Sequence, residues 1–190
     1  NCFGITVPDS FSGRSRRYTV KRPGLETHTT PAAAKKGYAI LVWTGQGTGD
    51  KILSAFDTPN STIYDGTTSK GTITGTCTGL TETFVGANAT VLATGSDSTA
   101  WYFDNGATVA VFTKIADADF PGNAGKTLAG TFAHIDGFAC IMTTDGVLWA
   151  SDLNSVTAWT ATSFDSANSY PDKGVGCFRF KNFIIAFGSE

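Results

Sequence analysis

The stretch "FACIMTTDGVLWASDLNSVTAWTATSF", residues 138–164, holds three short apolar strands separated by turns. The strands are "ACIMT", "VLWASD" and "AWTATSF", and Asp, Gly, Ser and Thr are concentrated between them. Short β-branched and aromatic runs bounded by such residues are typical of antiparallel strands joined by tight turns. The stretch therefore predicts one small antiparallel sheet.

A similar arrangement recurs along the chain. Apolar strands begin at Ala39 ("AILVW"), Thr90 ("TVLAT"), Ala139 ("ACIMT") and Phe183 ("FIIAF"), which are 51, 49 and 44 residues apart. Second strands ("KILSAF", "AWYFD", "VLWASD") and third strands ("STIYDG", "TVAVFTKI", "AWTATSF") follow the first three. Further strands flank the groups: "GTITGT", "ETFVGA", "GTFAHI" and "VGCFRF".

Repeating units of about 40–50 residues with four short strands each are typical of β-propeller blades. The sequence therefore predicts an all-β chain that forms an incomplete β-propeller, with about three blades and part of a fourth. A β-sandwich is the alternative fold, because sandwiches also show turns every 8–12 residues or so. The one predicted helical turn covers "PAAAKK", residues 31–36.

We interpret "FIIAF" as the start of a further blade. A four-stranded sheet cannot cover both of its own faces, so the first and last blades of an open set expose theirs. Either the chain is a piece of a longer polypeptide, or other chains complete it. From the sequence alone we favour the first interpretation.

Charge divides the chain into two predicted regions. Residues 1–36 form a basic N-terminal segment with a net charge of 7 − 2 = +5, and residues 37–190 form the partial propeller. Because the whole chain carries −2, the second region carries −2 − 5 = −7. A basic segment can contact nucleic acid or an acidic neighbouring subunit, and the alternative is a solvated basic arm. Its candidate contact residues are Arg14, Arg16, Arg17, Lys21 and Arg22.

Motifs for catalysis, metals and cofactors are missing or incomplete in the sequence. The segment "FPGNAGKT", residues 120–127, resembles a P-loop, but Phe120 replaces the first glycine and a strand rather than a helix is predicted after it. We interpret it as a glycine-rich loop between blades. Aspartates at turn positions favour hairpins, and none forms a calcium loop; they are Asp104, Asp136, Asp145 and Asp152.

Histidine and cysteine give no catalytic or zinc pattern either. His28 and His134 lie in unrelated contexts, and the cysteines are far apart without a CxxC pair; these are Cys2, Cys77, Cys140 and Cys177. The apolar contexts of Cys140 and Cys177 predict buried thiols. No apolar run is long enough to span a membrane. We therefore expect no enzyme activity, no cofactor, no metal site and no membrane segment.

Two tryptophans raise a different class of function. Trp149 precedes and Trp159 ends the segment "SDLNSVTAW", residues 151–159, which loosely resembles the Asp-box turn of sialidase propellers. We predict that both side chains pack between neighbouring strands. If they were exposed, they would form a sugar platform, and the chain would be a carbohydrate-binding or glycosidase-like propeller. A scaffold propeller inside cells is a further alternative.

Two segments resemble the packaged-DNA-stabilisation proteins of short-tailed phages, also called tail hub or nozzle proteins. Residues 1–25 supply an Asn-aromatic start, the basic strand "RRYTVKR" and a Pro-Gly-Leu turn. Residues 148–190 supply the order and spacing of a second pattern, which departs where its last glutamate is expected, because the sequence given ends at Glu190. The matching residues there are Ser151, Leu153, Asn154, Trp159, Ala167, Pro171, Asp172, Phe187 and Gly188.

This resemblance implies a structural protein of the virion, located in the phage tail and assembled in the host cytoplasm. It implies a ring of copies, usually a hexamer, below the portal and adaptor. Such a ring would extend the channel for packaged DNA and help to retain the genome until ejection. No catalytic residues are implied. The basic residues would lie at a subunit interface or face the channel.

Overall fold

The computed structural model describes residues 2–8, 15–21, 35–44, 50–85, 88–104, 111–166 and 173–189, with the backbone alone for 2–8 and 15–21. These residues form sixteen β-strands. The strands are β1 Cys2–Pro8, β2 Ser15–Lys21, β3 Gly37–Trp43, β4 Lys51–Phe56, β5 Ser61–Asp65, β6 Thr68–Ile73, β7 Cys77–Val85, β8 Asn88–Gly95, β9 Ala100–Phe103, β10 Thr113–Lys114, β11 Leu128–Ile135, β12 Phe138–Thr143, β13 Val147–Ser151, β14 Trp159–Ser166, β15 Lys173–Phe180 and β16 Phe183–Ser189.

Three antiparallel four-stranded sheets follow one another along the chain. Sheet 1 contains β3 to β6, sheet 2 contains β7 to β10 and sheet 3 contains β11 to β14, each in sequence order. Among the residues that the structure describes, sheet 4 contains two strands, β15 and β16, and β1 pairs with β2 in a separate N-terminal hairpin. The prediction of an incomplete β-propeller with three blades and part of a fourth is confirmed.

The first strands of successive sheets lie side by side. β3 contacts β7, β7 contacts β11, and β11 contacts β15. We call these four the inner strands, and the last strands β6, β10 and β14 the outer strands. Each outer strand is followed in sequence by the inner strand of the next sheet.

Buried residues lie between successive sheets rather than between two layers, so the β-sandwich alternative is wrong. Strand β8 is apolar on both faces because it lies between two other sheets. Val91 and Ala93 pack toward sheet 1, while Leu92 packs toward sheet 3. Side chains alternate along a strand, so a central blade buries both sets. The cluster toward sheet 1 includes Trp43, whose ring centroid lies 5.3 Å from that of Phe103.

Glycine lets the inner strands approach closely. A Cβ added at Gly79 of β7 would overlap the methyl group of Thr131 on β11. At Gly130, φ is +73° and an added Cβ would lie 3.0 Å from the Cα of Gly176 on β15. A side-chain methyl group therefore packs against backbone where sheets 2 and 3 meet, and backbone packs against backbone where sheets 3 and 4 meet.

The repeat predicted from the sequence is wrong in its first unit, because the four strands matched to one another do not hold the same position in their sheets. "TVLAT", "ACIMT" and "FIIAF" lie in β8, β12 and β16, which are the second strands of their sheets, whereas "AILVW" is β3, an inner strand. The equivalent second strand of sheet 1 is β4, "KILSAF". For the same reason "VGCFRF", and not "FIIAF", begins sheet 4.

Two further predictions have different outcomes. The division of the chain at residue 36 stays a prediction. In the predicted helical turn, residues 31–34 lie outside the described residues, while Lys35 and Lys36 have no regular secondary structure.

Candidate functional site

The basic candidate residues centre on the N-terminal hairpin. Arg16 pairs in register with Val7, Arg17 with Thr6 and Lys21 with Cys2. Arg14 and Arg22 lie outside the described residues. Because adjacent positions of a strand belong to opposite faces, the register places Arg17 and Lys21 on one face and Arg16 on the other.

The register pairs apolar residues with each other at two positions of the N-terminal hairpin, Phe3 with Val20 and Ile5 with Tyr18. The alternate pairs include Gly4–Thr19 and Thr6–Arg17. An isolated two-stranded hairpin is only marginally stable in water.

Sheet 4 exposes a face made of phenylalanines. We call this surface the aromatic face: Phe178, Phe180, Phe183 and Phe187, which are 43%, 52%, 69% and 45% exposed. The register Phe180–Phe183 and the stacking of Phe178 on Phe187, with ring centroids 5.2 Å apart, place all four on one side of the hairpin. The opposite side carries Cys177 and Ile184, which pack toward sheet 3.

Sheet 1 exposes an apolar face at the other end of the arc. We call it the aliphatic face: Ile40 and Val42 of β3, which are 72% and 53% exposed. The side chains that alternate with them, Leu41 and Trp43, pack into the cluster against sheet 2. The prediction that the first and last blades expose a face is therefore confirmed.

The tryptophans are interior residues. Trp149 is 8% exposed and Trp159 is 4% exposed, and both lie in the cluster between sheets 2 and 3. The predicted packing is confirmed, and the sugar platform is wrong for these two residues. The corner before Trp159 is held by Asp152, whose backbone N–H donates to Ala158 O at 2.9 Å and whose carboxylate accepts from Thr160 at 2.9 Å.

The glycine-rich loop 120–127 belongs to the connection between sheets 2 and 3. Its backbone closes on itself, because Ala124 N–H donates to Phe120 O and Lys126 N–H donates to Pro121 O, both at 2.9 Å. The Phe120 side chain is fully buried, and its ring lies edge-on to Trp159 at 5.1 Å. The residue that breaks the P-loop pattern is thus a core residue, and the predicted loop between blades is confirmed.

The thiols with described side chains are also structural. Cys77, Cys140 and Cys177 are buried and free, and burial raises the pKa of each to about 11. A protonated thiol is a poor nucleophile and a poor metal ligand. Within the described residues, no three His, Cys, Asp or Glu side chains are grouped to hold a metal ion.

His28 lies outside the described residues, and His134 lies on the inner strand β11. Its pKa is lowered, mainly because burial disfavours the imidazolium and also because Arg179 is nearby. Its Nε2 has no hydrogen-bond partner among the described groups. A neutral imidazole packed near the Phe84 ring, at 6.4 Å between centroids, fits a packing role.

Residues 7–190 match the model of the phage-stabilisation family described as bacteriophage P22 Gp10, β-propeller. The chain belongs to this family. As a member of the P22 Gp10 family it is a bacteriophage structural protein of the virion, which agrees with the resemblance found in residues 1–25 and 148–190. A search of curated protein sequences found no match.

Solved structures resemble this P22 Gp10 family member in fold. The Cps50 (Swd1) β-propeller domain of Myceliophteria thermophila gives a TM-score of 0.58 at 13% identity, over 97% of this chain and 59% of that one. BBS1N in complex with ARL6DN gives 0.53 at 11% identity, over 91% and 53%. An active polycomb repressive complex 2 gives 0.54 at 10% identity, over 98% and 40%. The chain thus spans about half the length of these proteins.

Within the part of the chain that the structure describes, no helix has the length and apolar character needed to cross a membrane. The candidate functional regions are therefore three surfaces: the aromatic face, the aliphatic face and the basic N-terminal hairpin. Sequence reasoning found the hairpin through its charge but missed the aromatic face. The signal was available in the alternation of Phe178 with Phe180, once β15 was taken as a strand.

Proposed function

We propose that this chain forms part of the tail hub, or nozzle, of a short-tailed phage. Copies of it assemble into a ring, with six as the expected number, below the portal and adaptor. The ring extends the channel for packaged DNA and helps to retain the genome until ejection. The match of residues 7–190 to the P22 Gp10 family carries this proposal.

The charge distribution supports a channel role. Residues 37–190 carry 7 basic and 14 acidic side chains, a net charge of −7. Phosphate contacts by Lys and Arg dominate the affinity of proteins for DNA, so an acidic propeller binds the duplex weakly and lets it slide. The basic N-terminal segment would then either contact an acidic neighbouring subunit or touch DNA at a limited site.

The assignment as a non-enzyme with no cofactor rests on the structural family and stays a proposal. So does assembly in the host cytoplasm before the tail is added to the head. The carbohydrate-binding alternative depended on exposed tryptophans, and both candidate side chains are buried. We therefore do not develop it.

The first test is made on phage particles. Particles assembled without this chain should package DNA and then lose it, which is measured as the fraction of DNA-filled heads by cryo-electron microscopy. Supplying the chain in trans during assembly should restore filled heads. Filled, stable heads in its absence would contradict the proposed role, as would failure to find the chain in purified particles by mass spectrometry.

The second test addresses the basic residues. The triple variant Arg14→Ala, Arg16→Ala, Arg17→Ala should lower ring assembly or genome retention, because it removes three of the seven basic side chains of residues 1–36. Lys126→Ala, an exposed lysine of the propeller, is the matched control. Equal assembly and retention by the two variants would overturn the interface or channel role of these arginines.

A further inference from the structure

Two buried thiols meet at the boundary between sheets 3 and 4. Cys140 lies on β12 and is 5% exposed, and Cys177 lies on β15 and is 6% exposed. The Sγ of Cys177 lies 3.7 Å from the backbone oxygen of Cys140, although the two residues are 37 positions apart in the sequence. The packing of sheet 4 on sheet 3 therefore makes these two residues neighbours.

The alternation of side chains along each strand turns both thiols toward the same boundary. Met142, two positions after Cys140 on β12, belongs to the buried cluster between sheets 3 and 4, as does Cys177. Ala139 and Ile141, which alternate with Cys140, belong instead to the cluster between sheets 2 and 3. Because side chains two residues apart share a face of a strand, Cys140 faces sheet 4 and Cys177 faces sheet 3.

The two sheets approach closely beside these thiols. Facing sheets are ordinarily about 10 Å apart, whereas the Cα atoms of a disulfide are about 4.4–6.8 Å apart. Gly176, the residue before Cys177, allows the closer approach, because a Cβ added at Gly130 of β11 would lie 3.0 Å from the Gly176 Cα. Each Sγ can turn about its Cα–Cβ bond between staggered positions, which is the movement that brings neighbouring sulfur atoms together.

We propose that Cys140 and Cys177 are a latent disulfide, which forms when the chain passes from the reducing cytoplasm of the host to an oxidising exterior and links sheet 4 covalently to sheet 3. Disulfides persist in oxidising surroundings and are rare in a reducing cytoplasm. The timing rests on the proposed function, because it requires assembly in the cytoplasm and a particle that leaves the cell. The pairing of the two thiols does not depend on that function.

The oxidant is a small-molecule disulfide such as oxidised glutathione. One protein thiolate attacks it, forms a mixed disulfide and releases one glutathione thiolate. The second protein thiolate then attacks the protein sulfur of the mixed disulfide and releases the other glutathione thiolate. The two protein thiols lose two electrons and two protons in total, and one oxidised glutathione becomes two reduced glutathione molecules.

Burial makes this reaction slow, which suits a link that forms after assembly. Burial raises the pKa of both thiols to about 11, and the negative charge of an ionised Cys177 adds to the rise at Cys140. At pH 7 only about one such thiol in 10,000 is ionised, and the thiolate is the form that attacks a disulfide. The pair is therefore inert during a short stay in the cytoplasm and reacts during long exposure to an oxidant.

The link would act at the boundary with the smaller buried cluster. The cluster between sheets 2 and 3 has ten buried members, with two tryptophans and two phenylalanines. Among the described residues, the cluster between sheets 3 and 4 has four, none of them aromatic: Ala129, Ala133, Met142 and Cys177. Because a disulfide restricts the unfolded chain, it opposes the separation of sheet 4 from sheet 3.

The first test treats the folded full chain with oxidised glutathione. The chain is then unfolded in iodoacetamide, digested and analysed by mass spectrometry. We expect a peptide that joins Cys140 to Cys177 and is lighter by two hydrogen atoms than the separate peptides. Cys77 is the internal control, because it is also buried with a pKa of about 11 but lies between sheets 1 and 2. Free Cys140 and Cys177 after the treatment overturn the proposal, as does an equal yield of links to Cys77.

The second test asks whether the link holds sheet 4. Oxidation should raise the protection of β15 amides from hydrogen exchange at least about tenfold in the wild-type chain, and a phosphine reductant should reverse the change. Cys77→Ser, the matched control, should show the same rise, and Cys140→Ser should show none. Unchanged protection of β15 in the linked wild-type chain overturns the proposal. An equal rise in Cys140→Ser also overturns it, because addition of glutathione would then be the cause.

The third test separates the link from the proposed function. Thiols are blocked with N-ethylmaleimide in infected cells and in released particles, and the same peptides are measured. The pair should be free in cells and linked in particles. Free thiols on chains found in particles overturn the latent disulfide and leave the tail-hub role standing. A chain that is linked by glutathione but is absent from particles overturns the tail-hub role and the timing, and leaves the pairing of the thiols standing.

Discussion

The boundary between sheets 2 and 3 and the aromatic face of sheet 4 are built from the same kinds of residue. Between the sheets, Phe120, Phe132 and Trp159 are at most 4% exposed. On the aromatic face, Phe178 and Phe183 are 43% and 69% exposed. The comparison shows that residue type does not decide burial in this fold. A blade side chain is buried only when a neighbouring sheet is present to cover it.

The largest difference in the free energy of unfolding is expected when one aromatic side chain of each region is replaced by alanine. Trp159→Ala removes an indole that packs against Phe120 and donates from Nε1 to Val156 O at 3.1 Å, so it should lower the free energy of unfolding by about 3–5 kcal/mol. Phe183→Ala, in dilute chain where no partner covers the face, should change it by less than about 0.5 kcal/mol. Urea unfolding followed by fluorescence and circular dichroism measures both.

Similar decreases in the free energy of unfolding for Trp159→Ala and Phe183→Ala would contradict the contrast between the buried sheet boundary and the open aromatic face. They would mean that the aromatic face is covered even in the dilute chain. A decrease in the free energy of unfolding for Phe183→Ala that grows with protein concentration would instead support the contrast, because associated copies would then bury the aromatic face.

A smaller difference is expected between two glycines with positive φ. Gly130→Ala forces a Cβ to within 3.1 Å of Val175 O as well as toward Gly176, whereas an added Cβ at Gly66 meets nothing within 4 Å. Both changes place alanine in the left-handed region, which costs about 1 kcal/mol. Overpacking against backbone adds about 1–3 kcal/mol at Gly130 alone. Equal decreases in the free energy of unfolding for the two variants, measured with urea, would show that sheets 3 and 4 are not in close contact at Gly130.

The smallest effect is expected from an ion pair at the rim of sheet 3. The hydrogen bond from Lys126 Nζ, at 2.7 Å, and a second from Thr143 lower the pKa of Asp145 below its ordinary value of 3.8. Its stabilising contribution is therefore present above that ordinary value and is lost as pH falls through the lowered pKa. Both partners are exposed and screened, so Asp145→Asn should cost less than about 1 kcal/mol at pH 7.

The pH dependence checks the sign of that prediction. As pH falls through the lowered pKa of Asp145, the difference in urea midpoint between the wild-type chain and Asp145→Asn should shrink, because the wild-type carboxyl then becomes protonated too. Asp119→Asn, an exposed aspartate of the neighbouring connection, is the control for a general loss of negative charge. A difference in urea midpoint that grows as pH is lowered from 7 would contradict the lowered pKa of Asp145.

Much of the fold could be predicted because strand and turn signals are local. The pair Asp136–Gly137 turns β11 into β12 with φ values of +48° and +87°, as an Asp-Gly hairpin requires. The phase of the repeat could not be predicted for sheet 1. Ile40 and Val42 lie on an open apolar face, so β3 has the same continuous apolar sequence as the second strands β8 and β12, which are buried on both sides.

The candidate site was less accessible to sequence reasoning. Counting charges located the basic segment, but the separation of Arg16 from Arg17 depends on the strand register with β1. Phe180 and Phe183 are three residues apart, which is not a strand spacing. They share a face only because a turn between them pairs the two positions directly. Whether another sheet packs on a face, rather than the local sequence pattern, decides which apolar residues are exposed.

The order of the strands has a consequence for synthesis. Each of sheets 1 to 3 is a meander whose strands pair with their sequence neighbours, so hydrogen bonding within a sheet closes only short loops. A nascent chain that leaves the ribosome can therefore finish one sheet before the next is translated. Among the described strands, β1 and β2 are translated before those of sheets 1 to 3, and as sequence neighbours they too can pair as soon as both are made. Hydrogen bonding in this region can therefore follow the order of translation, sheet by sheet.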